Sequence, residues 1–84
     1  MSIAEQAQQL HALADDVPVG QAEAIREQLG SMQQQVAGIL GETSSAQELH
    51  GQISAVSNEV RAVSAGLEHL RQLVIDKAAY HQQG

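Results

Sequence analysis

Apolar residues recur along this chain in alternating steps of three and four. The first segment carries Ile3, Ala7, Leu10, Ala14 and Val17. The second carries Ala22, Ile25, Leu29, Met32, Val36 and Ile39. The third carries Leu49, Ile53, Val56, Val60, Val63, Leu67, Leu70 and Val74. That spacing keeps one face of an α-helix apolar and is the spacing of a coiled-coil seam. A strand needs a period of two, which appears nowhere, so the pattern predicts an all-α protein.

Two segments interrupt the pattern. At Val17-Pro18-Val19-Gly20, proline lacks a backbone donor and turns the preceding residue away from helical geometry. At Gly41-Glu42-Thr43-Ser44-Ser45, Gly41 suits a helix C-terminal stop and Ser45 an N-cap. Ser45-Ala46-Gln47-Glu48 has capping-box spacing, as does Ser2-Ile3-Ala4-Glu5. Helices are therefore predicted over about 3–16, 20–40 and 45–81.

Folding the chain back at Gly41–Ser45 brings the second and third seams into one register. Val36 then faces Leu49, Met32 faces Ile53, Leu29 faces Val56, Ile25 faces Val60 and Ala22 faces Val63. Past Pro18 the register slips by one residue, pairing Val17 with Leu67, Ala14 with Leu70 and Leu10 with Val74. The two arms, 3–40 and 45–81, are each roughly 37 residues, or about 55 Å of helix. Short loops join antiparallel neighbours. The expected architecture is a single domain over residues 1–84, an antiparallel helical hairpin with a kinked first arm. A three-helix bundle, in which the first helix folds back at Pro18, is the competing plan.

Two helices cannot cover all of this apolar surface. Leu13, Val19, Leu40, Leu73 and Ile75 fall off the main seam and are the candidate interaction residues. Leu13 and Leu73 come nearly opposite each other in the hairpin. The expectation is that this face meets a second hairpin in a four-helix bundle, as a homodimer or as a heterodimer with another helical protein.

Composition strengthens the case for a partner. The 84 residues include one aromatic side chain, Tyr80, with no Phe, Trp or Cys. A domain this small buries too little surface to offset chain entropy easily, and no disulfide can assist it. The net charge of −6, with only four Lys plus Arg, argues against nucleic acid and against an anionic membrane surface, since both attract basic stripes. No apolar run approaches the roughly 20 residues of a membrane span. The opening residues Met1–Glu5 carry no basic segment followed by an apolar stretch, so no Sec-type signal peptide is expected. The expected location is the cytoplasm, with export alongside a partner left open. Abundant Ala, Val and Gln with one Lys point to a high-GC bacterial genome.

Candidate chemistry is sparse. His11, His50, His69 and His81 include no pair three or four apart on one helix face, so no metal site is expected and the histidines read as solvated. Asp15-Asp16 point in different directions on a helix end and form no acid–base dyad. Glu59, Arg61, Glu68 and Arg71 mark exposed faces, and Glu68 with Arg71 has the spacing of a weak ion pair. Ser54, Ser57 and Ser64 have no paired base. There is no phosphate loop and no Cys nucleophile, so neither a catalytic site nor a cofactor is expected. Gln33-Gln34-Gln35 and the scattered glutamines suit protein contacts or solubility. Gly30, Gly38, Gly51 and Gly66 lie inside predicted helices, where glycine costs about 1 kcal/mol relative to alanine. Either close helix approach or simple tolerance accounts for them.

The size, the two-arm plan and the short mid-chain turn resemble the small helical hairpins of ESX (type VII) secretion, the WXG-type proteins and their compact helical partners. Where those proteins carry Trp-x-Gly at the turn, this chain has Ile39-Leu40-Gly41, matching only the glycine. Their C-terminal Tyr-x-x-x-Asp/Glu signal is not met, because Gly84 stands four residues after Tyr80. The resemblance implies a non-enzymatic assembly module, an accessory or chaperone-like partner of a larger secreted protein. The alternative from the residues alone is a structural or regulatory amphipathic coiled-coil protein that coats a surface or lipid.

Overall fold

A computed structural model describes residues 2–83, with side chains as far as Tyr80. The described residues form three helices, α1 (Ile3–Asp15), α2 (Val19–Leu40) and α3 (Ser44–Gln83), and no strand. They group into two compact units. Residues up to Val19 pack with those from Ala65 onward, and Gly20–Ser64 form the other unit. The boundary between them falls where the apolar register of the sequence slips.

Each helix end follows from its local sequence. Ser2 and Glu5 complete the capping box of α1. The Glu5 amide donates to Ser2 Oγ at 3.1 Å and the Ser2 amide donates to Glu5 Oε2 at 3.4 Å. At the other end of α1, the Asp16 amide donates to the Leu13 carbonyl at 3.0 Å. Pro18, with no donor of its own, then separates α1 from α2. The C-terminus of α2 stops at Gly41, whose φ of +60° is the left-handed conformation that costs glycine least. Its amide donates to the Ala37 carbonyl at 3.0 Å. α3 begins after the three-residue connection Gly41–Thr43.

The cap of α3 is Thr43, not Ser45. The Ala46 amide donates to Thr43 Oγ1 at 3.1 Å, and Gln47 closes the first turn on the Thr43 carbonyl at 3.1 Å. Once Gly41 has reversed the chain, Thr43 is the first residue able to cap, so Ser44 and Ser45 are already helical and the Ser45–Glu48 box does not form.

Within the unit Gly20–Ser64, α2 and the first half of α3 are an antiparallel helical hairpin. Gln33 hydrogen-bonds to both His50 and Ser54, straddling residue 52, the position that the sequence register sets opposite it. The buried residues here are Ala22, Ala46, Ile53 and Ser64. Leu29, Val36, Leu40, Val56 and Val60 are half-buried around them. In the other unit, Ala7, Ala14 and Ala78 are buried, with Leu10, Val17, Leu67, Val74 and Ile75 half-buried.

These cores consist mostly of small side chains, and no large one is fully buried among the described residues. The accessible surface is 6049 Å² for 8.9 kDa, against about 4,800 Å² for a compact monomer of that mass.

Candidate interaction surface

The hairpin seam uses only half of the apolar pattern. On α2, Ala22, Leu29 and Val36 turn inward, but Ile25, Met32 and Ile39 are exposed, Ile39 to 79 %. Arg26, Gln33 and Leu40 take their places against α3 as half-buried residues. On α3, Ile53 and Val60 turn inward, while Leu49 and Val63 are exposed and Ala46, Ser57 and Ser64 line the seam. The expected facing pairs Val36–Leu49, Met32–Ile53, Ile25–Val60 and Ala22–Val63 are therefore each incomplete, since one partner of each looks outward.

The cause is rotation of the helices about their own axes. Three residues on from each α2 anchor stand the apolar Ile25, Met32 and Ile39, and four residues on stand Arg26, Gln33 and Leu40, so both sets border the anchors on opposite flanks. A narrow contact can use either set. The hydrogen bonds of Gln33 select the rotation that brings residue 33 inward and turns residue 32 outward. At about 100° per residue, Ile25, Met32 and Ile39 then stand on one flank of the α2 seam. Leu49, Val56 and Val63 stand on the flank of the same sense on α3. In an antiparallel pair, flanks of the same sense lie on the same side. The hairpin thus presents one side lined by aliphatic residues at intervals of seven, or about 10.5 Å.

The residues bordering that side are uncharged along α2: Gln21, Gln28 and Gln35, all exposed. Along α3 the border is Ser45, Gln52 and Glu59. The carboxylates of Glu23 and Glu27 point elsewhere by the same helical geometry. Compared with models of protein families, with curated proteins and with solved structures, the chain matches none.

The interaction residues expected from sequence are scattered by comparison. Leu40 is half-buried in the hairpin, closing the seam next to the turn. In the other unit Leu13 and Leu73 are exposed, while Val19 and Ile75 are half-buried. Sequence reasoning placed Ile25, Met32, Ile39, Leu49 and Val63 in the seam and so missed the side they form. The signal that could have found it is the small and polar set Gln33, His50, Ser57 and Ser64, each standing one residue after an expected seam position (Met32, Leu49, Val56 and Val63).

The remaining candidate chemistry resolves simply. His50 is not a solvated surface histidine. It is half-buried, and its ring Nδ1 meets Gln33 Oε1 while its carbonyl accepts from Gln33 Nε2 at 3.3 Å. His11 and His69 are exposed, and the His81 side chain lies outside the described residues. Among the described residues no three His, Cys, Asp or Glu side chains are placed to hold a metal ion. No helix there is long and apolar enough to cross a membrane. The ion pair among the described residues is Arg26–Glu23 at 3.7 Å rather than Glu68–Arg71. A Cβ built on Gly30, Gly38, Gly51 or Gly66 meets nothing within 4 Å, so close helix approach does not account for these glycines.

Proposed function

We propose that this chain is a non-enzymatic helical assembly module that pairs with a second copy of itself through the side bearing Ile25, Met32, Ile39, Leu49 and Val63, giving a four-helix arrangement. The observation that carries the proposal is the exposure of these five large aliphatic side chains on one side of a hairpin.

Their exposed fractions amount to on the order of 500 Å² of apolar surface, the size at which a patch on a monomer is commonly functional. With the glutamine borders included, the contact approaches the roughly 800 Å² per partner of a standard protein interface. That area also fits within the excess surface of the isolated chain. Charge favours a second copy. A chain of net charge −6 repels its twin except where the surface is neutral, and this side carries one bordering carboxylate, Glu59. The common seven-residue spacing of both stripes lets side chains of one copy enter the gaps of the other. A two-fold axis normal to the side makes the contact self-complementary.

Size exclusion with light scattering on the full chain tests this. The expected particle has twice the 8.9 kDa chain mass, and Met32→Glu or Ile39→Glu returns it to the monomer with helicity retained. A folded wild-type monomer at micromolar concentration overturns self-association. If such a monomer still forms a stoichiometric complex with a different helical protein, the module stands as an accessory or chaperone-like subunit of that protein. If it forms none, the assembly reading fails as a whole.

A further inference from the structure

The opposite side of the same hairpin carries a polar groove of about 240 Å³ between α2 and α3, with Arg26, Gly30 and Gln33 on one wall and Ser57, Asn58 and Arg61 on the other. We propose that this groove binds a small oxyanion, a carboxylate or a phosphate, between the guanidinium groups of Arg26 and Arg61.

The distribution of charge is the first argument. The chain has four Lys plus Arg against ten Asp plus Glu, yet two of the four cations line this one groove and no carboxylate lines it. The second argument is the loose pairing of Arg26. Its ion pair runs from a terminal nitrogen to Glu23 at 3.7 Å, a long contact that leaves the guanidinium charge weakly compensated. A guanidinium has five donors in a planar fork and no acceptor, so a planar or tetrahedral oxyanion is its natural complement. Third, the neighbours suit the same ligand. Ser57 brings a hydroxyl donor and Asn58 an amide donor. The Gly30 position leaves open space, since a Cβ there meets nothing within 4 Å. The groove is independent of the apolar side, so it holds or falls separately from self-association.

The test uses the full isotope-labelled chain at low ionic strength, titrated in separate arms with inorganic phosphate, acetate and sodium chloride, and followed by amide and guanidinium NMR shifts. The expected result is a saturating shift of Arg26, Ser57, Asn58 and Arg61 signals with an oxyanion. Chloride at matched ionic strength leaves them unsaturated. A response to phosphate alone assigns phosphoryl groups, and one to acetate alone assigns carboxylates. Arg26→Gln combined with Arg61→Gln weakens the response at least about tenfold, as expected when charge-assisted donors are replaced by neutral ones. Arg71→Gln, outside the groove, leaves it unchanged. Shifts that chloride reproduces, or that survive the double substitution, overturn the proposal. Should the double variant lose helicity, the discrimination between oxyanions and chloride by the wild-type chain decides it.

Discussion

Gln33 reaches from α2 to His50 on α3 with both ends of its amide: Nε2 donates to the His50 carbonyl at 3.3 Å, and Oε1 meets the ring Nδ1. The same nitrogen donates to Ser54 Oγ at 3.2 Å. A polar layer within an otherwise aliphatic seam fixes register, because sliding either helix by a turn leaves these groups without partners. Gln33→Ala removes the layer while keeping the helix-forming character of the site. The expected loss is about 1–2 kcal/mol in unfolding free energy, read by urea titration with far-UV circular dichroism. No change in the midpoint would mean that the layer contributes nothing.

Two isoleucines of similar sequence character should behave in opposite ways. Ile53 is 8 % exposed and Ile39 is 79 % exposed. Ile53→Ala opens a cavity in the seam and is expected to cost about 2–4 kcal/mol. Ile39→Ala, measured at a concentration where the chain is monomeric, should stay within about 0.5 kcal/mol. Equal losses at the two sites would contradict the observed rotation of the helices.

Substituting glycine with alanine should change sign with position. Gly41 has φ +60°, where alanine is strained, so Gly41→Ala is expected to destabilise by about 1 kcal/mol. Gly38 and Gly51 sit inside α2 and α3 with open space beyond a built Cβ. Gly38→Ala and Gly51→Ala are each expected to stabilise by about 0.5–1 kcal/mol. Thermal melts of the three single variants against wild type check both directions.

Thr43 and Ser45 provide a test of where α3 begins. Thr43→Ala deletes the acceptor of the Ala46 amide and is expected to cost about 1 kcal/mol. Ser45→Ala lies in the first helical turn and should be neutral or slightly stabilising, since alanine is the better helix former. Amide hydrogen exchange at Ala46 and Gln47 should quicken in the first variant and hold steady in the second.

The sequence by itself determined the helical class, the two interruptions and the register. Each is a local or one-dimensional property. Pro18 and Gly41 interrupt helices through their own backbone chemistry, and the facing positions of α2 and α3 follow from counting back from the turn. Gln33 lies opposite residue 52 as that count requires. Only the tertiary structure decided which half of the apolar stripe turns inward. Ile25 and Arg26 differ by about 100° around a helix, and a two-helix contact is narrow enough to accept either phase. The rotation depends on groups from both helices of the hairpin at once, Gln33 with His50 and Ser54 and the small Ala22 and Ala46. No single helix carries that information. The exposed aliphatic side and the arginine groove are both consequences of that rotation.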